Sequence, residues 1–238
     1  MSPNRMGCAV MRRSLVFDAD DTLWENNVLF ERAVEAFIDH LAHPTLSREQ
    51  VRSRLDEVER VNCRIHGYGV DSFERSLIEC LARLRDGQGV TEFDRAELSR
   101  ACAPIRQRRV ELIDGVAETL RELATRHDLY LLTKGNHAEQ SGKIESSGLR
   151  ELFTGVGIVA EKEPETYKHF VVEHDLDPTV TWMIGNSPGS DVWPALDAGL
   201  NAVLVPHPQT WSLERRELPE RRDGFRVVER FAELGEHF

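Results

Sequence analysis

Cysteine is scarce in this 238-residue chain: Cys8, Cys63, Cys80 and Cys102 stand without a C-x-x-C spacing or a paired-histidine spacing. Neither a zinc knuckle nor a disulfide framework is indicated, and a reducing compartment is the simple reading. Basic residues are in deficit, with 30 lysines and arginines against 41 acidic residues and a net charge of −11. A protein that grips nucleic acid by neutralising phosphates is not expected from that balance. No apolar run approaches the roughly 18 to 20 residues needed to cross a bilayer, and the opening MSPNRMGCAVMRR lacks a long apolar stretch ahead of a cleavage site. The expectation is a soluble, cytoplasmic protein without a membrane partner. Internal repeats and low-complexity segments are also lacking. Residues 1–11 read as a loose tail, with Met6 and Met11 as alternative starts.

What is present is about 40% hydrophobic content, enough to bury a core in one or two domains. Short β-prone apolar runs occur at 14–17, 129–132, 156–159, 180–184 and 202–205. From the second onward they alternate with helical patterns at 115–126, 138–147, 165–174 and 192–198, as parallel strands joined by helical crossovers do. Between the first run and that alternation lie residues 25–109, which read as helices throughout: Phe30, Val34, Phe37, Ile38 and Leu41 recur at helical spacing, as do Val51, Leu55 and Val58, and Leu77, Leu81 and Leu84. The predicted fold is therefore α/β, a Rossmann-like parallel sheet over 12–24 and 110–238 with an inserted all-helical subdomain at 25–109. The charged stretch 214–222 reads as a solvated surface.

The first apolar run leads straight into Asp18-Ala19-Asp20-Asp21-Thr22-Leu23. Alternation along a strand sends Asp18 and Asp20 to the same side, and such crowding costs electrostatic energy unless a cation or a shared proton relieves it. A lone D-x-D is equally explained by a turn or by capping of the next helix.

Three further motifs follow in order: Leu131-Leu132-Thr133; Lys162 in Glu161-Lys162-Glu163-Pro164; and Ile184-Gly185-Asn186-Ser187-Pro188-Gly189-Ser190-Asp191. Together with the first, they make the chain from Arg13 onward resemble the haloacid dehalogenase-like (HAD) hydrolases, most of which are phosphatases. The resemblance implies that Asp18 attacks phosphorus to form an aspartyl phosphate and that Asp20 serves as acid and then base. It also implies that Thr133 and the amides of Lys134 and Gly135 bind phosphoryl oxygens, and that Lys162 holds Asp18 and the phosphoryl group. Lys134, Lys143 and Lys168 compete for that last role, each reading alone as a surface lysine. Lys162 is favoured by its place after the third apolar run, although Glu163 interrupts the usual lysine-proline pair. The implied cofactor is Mg2+, held by Asp18, Asp20 through its carbonyl, Asn186 and Asp191. Asn186 stands where the family usually has an aspartate, which removes a charge from the metal's surroundings. Asp191 also reads as a helix cap, together with Ser190.

Insertion after the first strand is similar to the family's C1 cap class, so a small phosphorylated metabolite is the expected partner. A 2-haloacid dehalogenase is the alternative, and Asp20 argues against it because those relatives lack the second aspartate. A non-catalytic phosphate-ligand sensor is a third reading, encouraged by Asn186 alone. Lesser candidates are the arginines of 105–109, His66, Trp24, which reads equally as lining the entrance or as buried core, and Ser187 with His207, which lacks a G-x-S-x-G elbow. Oligomeric state and substrate identity are left open.

Overall fold

A computed structural model describes residues 12–85, 87–107, 110–220 and 223–238. The expected tail 1–11, Cys8, and the arginines at 108, 109, 221 and 222 lie outside the described residues.

The chain enters as β1 (Ser14–Phe17), whose Leu15, Val16 and Phe17 are all buried, as both faces of a central parallel strand must be. Four helices follow: α1 (Asn27–Leu41), α2 (Arg48–His66), α3 (Val70–Leu84) and α4 (Glu92–Arg106). Capping boxes start two of them. Ser47 accepts from the Gln50 amide while Gln50 accepts from the Ser47 amide, and Thr91 with Asp94 repeats the arrangement. The inward stripes of these helices, among them Val34, Phe37, Leu55, Leu77, Leu81 and Leu98, form an apolar cluster of their own. Phe30, expected on that stripe, is only partly buried and faces a cavity.

The remaining chain alternates: α5 (Val116–Ala124), β2 (Asp128–Lys134), α6 (His137–Ser147), β3 (Gly155–Val159), α7 (Pro164–Glu173), β4 (Thr181–Gly185), α8 (Trp193–Asp197), β5 (Asn201–Leu204), β6 (Phe225–Val227) and α9 (Leu234–His237). The six strands make one parallel sheet in the order β3-β2-β1-β4-β5-β6. All five expected runs are strands. β6 was not expected: three residues after Gly224 carry too little pattern to register. β1 lies between β2 and β4, so its carboxyl end opens into the crevice where the chain's direction of winding reverses, the usual place for a site in such sheets.

Two local expectations are corrected. The helix expected at 192–198 is preceded by a π-helical turn, Pro188–Val192, and its N-cap is Ser187, whose side chain accepts from the Ser190 amide. Neither Ser190 nor Asp191 caps it. Pro188 has no N–H to satisfy, which suits the first position of such a turn. Of the two readings for Trp24, an entrance or the core, the structure has the core: it lies in the sheet's apolar cluster. Of the lesser candidates, Arg106 pairs with Asp71 and Glu74 on α3, and His66 is exposed.

Candidate active site

Asp18 follows β1 immediately, and its amide donates to Ile184 O at 2.9 Å, so the strand ladder fixes where its side chain leaves. The Lys162 ammonium lies 2.5 Å from Asp18 Oδ1 and 2.8 Å from Asp191 Oδ1. All three groups are buried, and two carboxylates thus share one cation. Burial and the neighbouring Asp191 push the Asp18 carboxyl up to about 7, against the opposing pull of Lys162. Burial disfavours the Lys162 ammonium, but Asp18 and Asp191 outweigh it and raise its pKa. Asp191 has both oxygens engaged, Oδ2 accepting from the Ser187 amide at 2.9 Å. Gly185 makes room for it: a Cβ there would lie 2.2 Å from Asp191 Oδ2.

Asp20 accepts four hydrogen bonds from three side chains. Trp24 Nε1 donates at 2.7 Å, Lys143 Nζ reaches both oxygens at 2.8 Å, and Gln140 Nε2 donates at 3.2 Å. Lys143 therefore is not a surface lysine, although Lys168, half exposed and paired with Glu165, is one. The neighbouring Asp21 does what the helix-capping reading of this motif expected, accepting through Oδ1 from the amides of Asn26 and Asn27 at 2.9 Å each. It also stands with Glu25 and His207 in a group whose ligand-type atoms lie within 4.8 Å of one another. That group was not foreseen and is separate from the expected metal set.

At the end of β2, Thr133 Oγ1 accepts from Gln140 Nε2 at 2.6 Å, which leaves its own proton free to donate. The Gly135 amide, expected to bind a phosphoryl oxygen, donates instead to Val159 O at 3.0 Å, because the ladder between β2 and β3 runs on to that residue. Lys134 turns its side chain to Glu214, Glu161 and the Tyr68 hydroxyl.

Glu214 overturns the reading of 214–222 as solvated surface at its first residue. It is nearly buried and also accepts from Ser187 Oγ at 2.5 Å and Ser190 Oγ at 2.6 Å. Burial opposes its charge, but Lys134 and the two hydroxyls prevail and hold its pKa below the usual value. Ser187, so engaged, is no nucleophile partnered by His207, which instead contacts Glu25 at 3.3 Å.

The chemistry of the oxygens here fits a hard cation. The Thr22 hydroxyl lies 2.9 Å from Asp18 Oδ2 and 3.3 Å from Asn186 Oδ1, yet it has one proton to give. One of the two oxygens is thus left without that donor, and an uncharged amide or a carboxylate oxygen with a lone pair to spare is the kind of ligand Mg2+ takes. The geometry brings Asp18, Asp20, Thr133, Lys162, Asn186 and Asp191 to one cavity of about 170 Å3, shared by core and helical insert.

A family model of haloacid dehalogenase-like hydrolases matches residues 13–199. A crystal structure of a haloacid dehalogenase-like family hydrolase from Xanthomonas campestris is similar at 28% identity and a TM-score of 0.79, over 95% of this chain and 94% of that one. The L-2-haloacid dehalogenase from Xanthobacter autotrophicus aligns at 20% identity and a TM-score of 0.62, over 95% and 98% of the two chains. A predicted phosphoglycolate phosphatase from Haemophilus somnus aligns at 16% identity and a TM-score of 0.63, over 95% and 97%. The last two likenesses carry the fold and leave the reaction open. No curated protein matches the chain.

Proposed function

The chain belongs to the haloacid dehalogenase-like hydrolase family, and from that membership we propose that it hydrolyses a small phosphate monoester, with Mg2+, at the site around Asp18. The observation that carries this is Asp20, a second carboxyl fixed beside the nucleophile by Trp24, Gln140 and Lys143. A halide leaves carbon as a weak base and needs no proton, whereas an alkoxide leaving phosphorus does. Asp20 has a task in the second reaction and none in the first.

An Asp18 carboxylate oxygen bonds to phosphorus as the ester P–O bond breaks, and the leaving oxygen takes the proton of the Asp20 carboxyl. Water then attacks the same phosphorus and gives its proton to Asp20; phosphate departs and the Asp18 carboxylate is restored. Lys162 orients Asp18 and offsets its charge, and Thr133 donates its free hydroxyl proton to a phosphoryl oxygen. Asp18, the Asp20 carbonyl, Asn186 and Asp191 would hold Mg2+, Asp191 directly or through a water, since each of its oxygens also accepts a hydrogen bond. The ion supplies the positive charge that lets an anionic ester approach clustered carboxylates.

The test is to assay p-nitrophenyl phosphate with Mg2+ and with excess chelator, beside halide release from 2-chloropropionate without metal. Phosphate release that needs the cation, and no halide, is the expected outcome. Halide release without phosphatase activity would make the chain a dehalogenase, and silence in both assays would favour a non-catalytic sensor.

A further inference from the structure

The cavity has a second end, built by α1, α2 and α3. Among the lining residues from these helices the one cation is Arg52, and its guanidinium is taken up: Nη1 and Nη2 donate to Glu31 at 2.6 and 3.0 Å, and Nε to Asp56 at 2.8 Å. Glu59, one helical turn further along α2, adds a third carboxyl to this single positive charge. Glu59 is 4% exposed; the Trp211 side chain hydrogen-bonds it, but its Oε2 has no partner among the described residues. Burial, with Asp56 and Glu31 near and Arg52 opposing, pushes its carboxyl up to about 7. Ser72 on α3 lines the same end, is 8% exposed, and its Oγ also lacks a partner among the described residues. Two unpaired buried polar atoms in one cavity cost stability, on the order of 1 to 3 kcal/mol each, unless something supplies the missing bonds. Phe30 and Phe73, edge to face with centroids 5.0 Å apart, give the cavity an apolar wall beside them.

Resting on the phosphomonoester chemistry above, we propose that this end is the leaving-group subsite and takes an alcohol that carries hydrogen-bond donors, further hydroxyls or an ammonium, and no carboxylate, with Glu59 and Ser72 setting that preference. A donor from the substrate completes Glu59 Oε2, and a hydroxyl can both give to and take from Ser72 Oγ. A carboxylate in the same place meets three acidic groups around a guanidinium that already serves two of them. Esters such as phosphoglycolate are thereby disfavoured.

The experiment compares kcat/KM, with saturating Mg2+, for ethanolamine phosphate, glycerol 1-phosphate, propyl phosphate and phosphoglycolate, with p-nitrophenyl phosphate as the reference for the reaction itself. Ethanolamine phosphate or glycerol 1-phosphate should exceed propyl phosphate at least tenfold, and phosphoglycolate should fall below it. Phosphoglycolate turned over as well as the donor-bearing esters, or all four alkyl esters turned over alike, overturns the subsite while leaving the phosphatase intact. No turnover of any ester, the aryl one included, overturns the phosphatase and the subsite with it. Glu59→Gln should shrink the ratio of donor-bearing ester to propyl phosphate at least fivefold, and Ser72→Ala, the milder change, should shrink it in the same direction. Equal losses on every ester would mark both residues as structural only.

Discussion

The sheet and the helical insert are held together internally by the same force and to each other by a different one. Leu15, Phe17, Leu120, Leu131 and Ile184 belong to an apolar cluster around the sheet, whereas Phe37, Leu55, Leu77, Leu81 and Leu98 belong to another within the helices. Across the seam the contacts are mostly polar, beside the edge-to-face packing of Tyr68 on Trp211. Tyr68 Oη donates to Glu161 at 2.6 Å, the Val70 amide to Glu139 at 3.3 Å, Ser212 Oγ to Asp56 at 3.2 Å, and Asn27 Nδ2 to Gln209 O at 2.6 Å. Each such bond contributes about 0.5 to 1.5 kcal/mol net, because water replaces it when it breaks. The halves can therefore part without either losing its core, and the cavity between them can admit a ligand. The comparison also divides the chemistry: among the described residues, the sheet end of the cavity pairs nearly every polar group it buries, and the helical end leaves two without a partner.

Removing the proposed nucleophile sharpens that contrast most. Asp18→Asn should lower hydrolysis of any phosphate ester by at least a thousandfold, since the neighbouring carboxylates are held in other bonds, Asp20 by Trp24, Gln140 and Lys143 and Asp191 by Lys162 and the Ser187 amide. Thermal stability should stay level or rise, because Lys162 keeps Asp191 as its partner and a carboxyl with a raised pKa is gone. A matched pair of steady-state kinetics and a melting curve decides it; a variant that loses its fold together with its activity would break the idea that this end is built for chemistry rather than stability.

Next in size is Lys143→Met, which keeps the side chain's length and deletes the ammonium that binds both Asp20 oxygens. Orientation of an acid is worth part of the 10²–10⁴ that general acid catalysis supplies, so a loss of about a hundredfold is expected on an alkyl phosphate. An aryl phosphate, whose leaving group needs little proton help, should lose much less. Equal losses on the two esters would mean that Lys143 acts on phosphate binding and not through Asp20.

Lys143 also shows where the sequence was legible and where it was not. That Asp18, Asp20, Thr133, Lys162 and Asn186 meet in one cavity is legible because each follows an apolar run that becomes a strand, and parallel strands bring their carboxyl ends together whatever lies between them. Gln140 and Lys143 lie on α6, beyond the strand end: Lys143 reads there as a surface lysine and Gln140 belongs to no motif. Their signal was there: three residues apart on a helix that starts just after β2, they share a face, and both reach Asp20. Glu214 had no such signal, since a carboxylate heading a charged run looks solvated until the fold sets Lys134, Ser187 and Ser190 around it. The helical insert was legible as helices, through its apolar spacing. Glu59 and Ser72 were not, because which polar residue faces a cavity depends on how helices pack rather than on periodicity.

A change of about tenfold is expected at the site's departure from the family pattern. Asn186→Asp adds a negative charge next to Asp18, worth about 1 kcal/mol or more toward a divalent ion at a partly screened site. The Mg2+ concentration giving half-maximal rate should fall accordingly in a metal titration at fixed substrate. If it does not move, Asn186 faces Thr22 and Thr210 rather than the ion, and its present bonds to them describe its whole role.

The smallest expected effect probes the seam itself. Tyr68 belongs to the helical half, and its hydroxyl donates to Glu161 and accepts from Lys134 at 3.3 Å, both in the sheet half. Tyr68→Phe deletes these two bonds and keeps the ring, which has the Lys134 ammonium 4.5 Å from its centroid and packs edge to face on Trp211 at 6.1 Å. Neither apolar cluster includes Tyr68, so the melting temperature should barely change. What should change is the balance between closed and parted halves, by about 1 kcal/mol, read as a rise of roughly fivefold in KM for a small ester with kcat nearly kept. Faster amide hydrogen exchange confined to the segment joining α2 and α3 would accompany it. A drop in melting temperature with KM unmoved would instead mean that the hydroxyl supports the fold as a whole, and that the two halves are less separable than their interiors imply.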